Sequence, residues 1–225
     1  MNRKVCASVI GRNFAEVEEM IKRAEFEGAD LIEIRFDYLG KKLRVKDIRD
    51  LTPLPLIATN RLASQGGLYH GREEDRQKVL LDAAESGFNL IDFEIDTPKI
   101  EKVVGSFRSM GVKLILSWHS SSSLSFDGMK SKFLEMNALR PDICKIIMTA
   151  KTMADNLTCL RFVSEASKTA EVVCFCMGSL GGVSRILSPI FGGAFTYAST
   201  IKHKEAAPGQ RTVTETKQIY KLLGV

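Results

Sequence analysis

Eight short apolar runs, each followed by a stretch with helical periodicity, succeed one another along this chain at a spacing of roughly 28 residues. The predicted strands are 5–10, 31–36, 56–59, 90–95, 112–118, 143–148, 172–176 and 194–198. Helical periods lie near 14–27, 45–50, 73–86, 98–109, 127–138, 153–167, 182–189 and 213–223. Asn13 with Glu16, and Thr212 with Glu215, have the spacing of a capping box at the openings of the first and last helices. Strict strand–helix alternation calls for a parallel sheet, because a strand reaches a parallel neighbour only through a long crossover. Eight such units close naturally into an α/β (β/α)8 TIM barrel, and a doubly wound open sheet is the alternative. The expectation is one barrel domain over residues 1–225, with no linker and a thin or missing layer under the barrel.

The composition is that of a globular chain, with 44% hydrophobic and 26% charged residues. No apolar run approaches the length that spans a bilayer, and no cleavable signal opens the chain, so no membrane partner is expected. The net charge of +5 comes from scattered Lys and Arg. Without a basic run interleaved with aromatics, an anionic small molecule explains that excess better than a nucleic acid. Cys6, Cys144, Cys174 and Cys176 fall in predicted strands and Cys159 on a helix, with no metal-ligand spacing. Such usage points to a reducing cytoplasm and no structural zinc.

Within the sixth strand stands a single lysine. Side chains alternate along a strand, so Lys145 shares a face with Ile143 and Ile147, while Cys144, Ile146 and Met148 take the other. Either Lys145 lies on an edge strand and points to water, or it is desolvated, its pKa lowered, and able to attack a carbonyl.

In a barrel, chemistry collects at the carboxyl ends of the strands. Glu33, Arg35 and Asp37 follow at spacing two on the second strand; the first two either fill a polar layer as an internal ion pair or face a ligand's hydroxyls. Asp37 falls past the strand end and reads as structural. His119 is the best acid–base candidate, because His70 and His203 lie in polar or glycine-bearing loops. Glu94, one strand away, could orient that imidazole; Asp92 sits one layer deeper and ranks below it. After the seventh strand comes a Gly-Ser-Leu-Gly-Gly run and then Arg185, which could be a surface side chain or a bidentate fork for a carboxylate.

Several motifs then fall into register. They are Glu-Ile-Arg on strand two, Asn-Arg after strand three, Asp-Phe-Glu on strand four, Trp-His-Ser after strand five and Asp-Ile-Cys-Lys on strand six. Met-Gly-x-x-Gly-x-x-Ser-Arg follows strand seven, and Ala-Pro-Gly-Gln precedes the last helix. The chain closely resembles type I 3-dehydroquinate dehydratase, the Schiff-base (β/α)8 lyase of the shikimate pathway, over essentially its whole length. The resemblance implies that Lys145 forms the imine, His119 is the general acid–base and Glu94 its partner. It implies that Arg185 grips the substrate carboxylate and that Glu33, Arg35 and Arg61 surround the ring's hydroxyls and carbonyl. Gln210 would close a lid, Phe175 and Met177 would pack on the ring, and no metal or organic cofactor is required.

One position departs from the pattern. The family's lid reads Ser-Ala-Pro-Gly-Gln, and the serine position holds Ala206 here. The segment before it is slightly longer, which would let Lys204 or Glu205 approach instead. The expected partner is a soluble carboxylate, 3-dehydroquinate, and the expected assembly a homodimer. Two rivals differ in kind. A class I aldolase would need anion-binding backbone at 178–182, and a non-catalytic barrel would bury Lys145 near His119 and Arg185 without any return.

Overall fold

The structure, a computed structural model, describes residues 3–40 and 44–225. Eight strands alternate with eight helices: β1 (Val5–Val9), α1 (Phe14–Phe26), β2 (Leu31–Arg35), α2 (Val45–Arg49), β3 (Leu56–Thr59), α3 (Glu73–Glu85), β4 (Leu90–Glu94) and α4 (Ile100–Ser109) come first. There follow β5 (Lys113–His119), α5 (Phe126–Ala138), β6 (Ile143–Thr149), α6 (Ala154–Ala166), β7 (Glu171–Met177), α7 (Gly182–Leu187), β8 (Thr196–Ser199) and α8 (Val213–Leu222). All neighbours pair in parallel, in the order β8–β1–β2–β3–β4–β5–β6–β7. Between β7 and β8 the ring is drawn together by Ala194 N–H donating to Val172 O at 2.8 Å and by an edge contact of Phe175 with Tyr197. This is a nearly closed (β/α)8 barrel, as the alternation requires.

The two-residue alternation divides every strand between two cores. Outward residues such as Ile32, Ile34, Cys144, Ile146 and Met148 pack under the helices. Cys6, Leu31, Ile57, Leu90, Ile115, Ile143, Val173 and Phe195 point inward and fill the lower barrel. Below them a recess of about 560 Å³ opens among Leu31, Leu90, Ile143 and Phe195, rimmed by Lys4 and Lys113, and no described segment plugs it.

The expected caps form, with one variation. Thr212 and Glu215 make the full reciprocal box. Asn13 accepts from Glu16 N–H, but Glu16 reaches back to Arg12 N–H instead of the cap residue's own. The seventh helix is shorter than its apolar period suggests and tightens into a 3-10 turn at Ser188–Phe191, where Pro189 has no N–H to continue the ladder. No helix among the described residues is long and apolar enough to cross a membrane.

Candidate active site

Two residues further up the inward positions, the lining changes from apolar to charged. Ser8, Glu33, Thr59, Asp92, Ser117, Lys145 and Tyr197 form a buried polar layer directly above the hydrophobic one. Ser8 and Thr59 hydroxyls donate to the two oxygens of Glu33 at 3.0 and 2.9 Å. Lys145 is 4% exposed, so it points into the barrel and not to water. Its Nζ donates to Asp92 Oδ2 at 2.9 Å and Tyr197 Oη at 3.1 Å, with Glu33 Oε1 at 3.7 Å. Asp92 also receives Arg61 Nη2 at 2.7 Å and Ser117 Oγ at 2.6 Å. Burial pushes the Asp92 carboxyl upward, but Arg61 and Lys145 outweigh it and hold the group well below the ordinary carboxylate range. The carboxylate partner that a buried lysine needs is therefore Asp92, which the sequence suggests only as the weaker orienter of His119.

Glu94 corrects a second expectation. It makes no hydrogen bond to His119. Its Oε2 takes Arg76 Nη1 at 2.5 Å, and its Oε1 takes Arg61 at 3.0 Å and Leu62 N–H at 3.2 Å. Two guanidiniums compete for that carboxylate better than a neutral imidazole can. His119, the last residue of β5, has its backbone N–H on Gln65 Oε1 at 2.9 Å, while its buried Nδ1 has no partner. Burial, with the cations of Arg61 and Lys145 nearby, pulls His119 well below the usual histidine range and keeps it neutral at physiological pH.

Glu33 and Arg35 do not form an internal ion pair. Arg35 instead grips Asp37 through two bonds of 2.8 and 2.6 Å, and Asp37 also accepts Leu68 N–H at 3.0 Å, fixing the loop after β3. Asp37 is structural, as its place past the strand end suggests.

Arg185 is 2% exposed and has no carboxylate within 4.0 Å among the described residues. Its guanidinium lies 4.3 Å from the Phe175 ring centroid, one nitrogen donates to Pro208 O at 3.3 Å, and Nε has no partner. Burial without an anion pulls it down to about 9. Part of the backbone in and after the glycine run before it is already committed. Gly181 N–H is spent on Gly178 O, Gly178 N–H on Pro208 O and Ser184 N–H on Asn156 Oδ1.

The lid lies on that run. Gly209 has φ +81°, and a Cβ there would stand 2.6 Å from Gly178 O, so the close approach requires glycine. Gln210 accepts Ala206 N–H at 2.9 Å and reaches Ser8 Oγ at 3.4 Å. Ala206 takes the place facing inward, while Lys204 is exposed and Glu205 turns back to His203 N–H at 2.9 Å, so neither replaces the missing serine.

Lys145, His119, Glu33, Arg35, Arg61, Arg185, Gln210, Phe175 and Met177 all line one cavity of about 130 Å³ at the carboxyl end of the strands; Glu94 stands behind its wall. Ser8, Gln65 and Tyr197 line it too, without having been singled out. Tyr197 and Ser8 were findable by strand parity, whereas Gln65 arrives on a loop that carries no signal.

Fold and site together define a (β/α)8-barrel enzyme whose centre is a buried amine with a neutral imidazole and an unpaired guanidinium around one small cavity. The family described as Type I 3-dehydroquinase matches residues 5–225, and the chain belongs to that family. The 3-dehydroquinate dehydratase of Methanosarcina acetivorans is 32% identical over 229 residues, covering 96% of this chain and 95% of the relative. That of Dehalococcoides mccartyi is 35% identical over 204 residues, covering 90% and 89%. Among solved structures, 3-dehydroquinate dehydratase from Geobacillus kaustophilus has the same fold, with a TM-score of 0.89 at 22% identity over 99% of this chain and 91% of that one. The type I enzyme from Clostridium difficile, solved with covalently modified comenic acid, gives 0.88 at 24% identity over 98% and 92%.

Proposed function

We propose that this chain converts 3-dehydroquinate to 3-dehydroshikimate and water through an imine on Lys145. The observation that carries the reading is the pairing, in one cavity, of the Lys145 amine with the Arg185 guanidinium that has no anion of its own. A ketone and a carboxylate on one small ring satisfy both. The lysine nitrogen attacks the ketone carbon, the carbinolamine loses water, and the resulting iminium draws electrons from the neighbouring C–H bond. His119, neutral and facing the same cavity, takes that proton to leave an enamine. The enamine electrons then expel the β-hydroxyl, which collects the proton from His119 and departs as water. Hydrolysis of the conjugated iminium by another water frees the product and regenerates Lys145.

Glu94 supports the site from behind, holding Arg61 and Arg76 in place; Glu33 and Arg35 present polar atoms toward ring hydroxyls, and Phe175 and Met177 supply its apolar wall. The Clostridium difficile relative was solved with a covalent modification, which is in keeping with a nucleophile in such a cavity. An aldolase acting on a phosphorylated substrate fits less well, because the Gly178 and Gly181 N–H groups are already bonded and the buried cation in the cavity is a guanidinium suited to a carboxylate. The reading carries with it a single catalytic barrel working as a homodimer in the cytoplasm; five free, buried thiols suit a reducing compartment.

The test is direct. Incubation with 3-dehydroquinate should generate the conjugated enone absorbance, and borohydride added during turnover should leave an adduct on Lys145 in the peptide mass map. A label on another lysine, or none, sinks the imine.

A further inference from the structure

Tyr197 is a nearly fully buried residue on β8, its ring held by edge contacts with Phe195 at 5.4 Å and Phe175 at 6.3 Å. Lys145 Nζ stands 3.1 Å from its hydroxyl and 4.2 Å from its ring centroid. In the same layer the hydroxyls of Ser8 and Thr59 donate to Glu33, and that of Ser117 donates to Asp92. Tyr197 differs: its oxygen receives from the lysine, and among the described residues its own hydrogen is given to no neighbour. We propose that Tyr197 is a further catalytic residue, whose hydroxyl donates to the ketone oxygen of the substrate as the carbinolamine forms on Lys145.

The proposal rests on the imine reading and deepens it. When the nitrogen lone pair forms the C–N bond, the carbonyl π electrons move onto the oxygen. By ordinary bond lengths and angles that oxygen then lies about 2.4 Å from Nζ. A donor 3.1 Å from Nζ is within hydrogen-bond reach of it on the side facing β8. The nitrogen also gives up a proton as it becomes trivalent, so the tyrosine oxygen loses its partner and its O–H is free to turn toward the new oxygen. His119 carries two protons in turn from nitrogen to oxygen, the one Lys145 gives up to become a nucleophile and the one the new C–N bond makes acidic. The oxygen then leaves as water when the nitrogen pair completes the C=N bond. Asp92, 2.9 Å from Nζ, stays as the counter-ion of the iminium. Tyr197 keeps its proton throughout: burial, with Glu33 nearby, pushes the phenol well above its usual range. It acts as a fixed donor where negative charge develops, not as an acid.

The experiment is rapid-quench borohydride trapping with 3-dehydroquinate, read as the rate at which the Lys145 adduct appears. Removing one donor to a developing oxyanion elsewhere costs about 10²–10³ in rate. Tyr197→Phe, which keeps the ring, should slow trapping at least about tenfold, while the substrate concentration giving half-maximal trapping stays nearly constant. A second arm places 3,5-difluorotyrosine at 197. Its more acidic phenol should support trapping at neutral pH and lose it at lower alkaline pH than the natural residue, a shift no packing role produces. This arm decides the matter if thermal melts show the Phe variant to be misfolded. Trapping at the unaltered rate in Tyr197→Phe, or an alkaline limb that ignores fluorination, overturns the proposal. If the natural chain itself gives no Lys145 adduct, the imine reading has failed first and Tyr197 falls with it.

Discussion

Two arginines are shut away from water on different walls of this barrel, and they are treated in opposite ways. Arg76, on α3 behind β4, is 0% exposed and saturated. It donates to Glu94 at 2.5 Å, to both oxygens of Glu73 at 2.8 Å, to Thr97 at 3.0 Å and to Asn60 O at 3.2 Å. Burial alone would lower its pKa, but the two carboxylates reverse that and raise it. Arg185, on α7 behind β7, has one long bond to a carbonyl and an aromatic face. Both guanidiniums lost their water on folding, and only one recovered its interactions within the protein. The saturated wall is scaffold. The other is incomplete until an anion enters, and His119, whose Nδ1 is likewise buried without a partner, still lacks a hydrogen-bonding group.

That contrast breaks most sharply under a common substitution. Arg76→Met should destabilise the fold by about 3–5 kcal/mol in denaturant melts, because it takes from the buried Glu94 carboxylate one of its two cations and breaks a buried hydrogen-bond network. Arg185→Met should leave stability unchanged or higher, yet lower kcat/KM by roughly 30-fold to several thousand-fold, about 2–5 kcal/mol, by losing a desolvated charge pair with the substrate. If the two variants unfold alike, the distinction between the walls is wrong.

His119 sharpens the same contrast through pH. Its folded pKa lies below the unfolded value of about 6.5, so below that pH the unfolded chain binds a proton that the folded one refuses. Stability from this group is present above pH 6.5 and is lost as pH falls toward the folded value, by up to about 1.4 kcal/mol per unit. Melts of the natural chain and of His119→Gln, compared between about pH 7.5 and 5.5, should show a shallower acid slope in the variant. Equal slopes would mean the imidazole is not held neutral.

The smallest effects belong to the lid. Gln210→Ala removes the bridge between Ala206 N–H and Ser8 and should lower kcat/KM by more than Ala206→Ser alters it. The serine should change kcat/KM by no more than about tenfold, the scale of one net hydrogen bond. A serine gain exceeding the glutamine loss would show that the cavity wall at Ala206, not the bridge, governs lid closure.

Much of this architecture was legible in the one-dimensional pattern. Eight apolar runs with helical spacers call for a parallel sheet that closes naturally into a ring, and two-residue alternation put Lys145 on one face with Ile143 and Ile147, which the structure turns inward. The same parity places Phe195 and Tyr197 inside β8. Which carboxylate of β4, Asp92 or Glu94, would meet the lysine was not legible. Both lie on one face of one strand, and nothing local says which layer meets the amine. Gln65 gave no sign at all, since a loop side chain acquires its place only from what the loop packs against.

By itself the sequence determined which residues form strands, which side chains of each strand share a face, and which few polar residues stand at the strand ends as candidates for one site. These are properties of adjacent residues, governed by backbone geometry and the burial of apolar side chains. Only the tertiary structure decided the partners. The registers that set Thr59 beside Asp92 and Ser117 beside Lys145 bring together an amine and a carboxylate 53 residues apart, and leave Glu94 to Arg61 and Arg76. Charge pairing in a low-dielectric interior depends on ångström distances. Those distances exist only after the strands have closed into a ring.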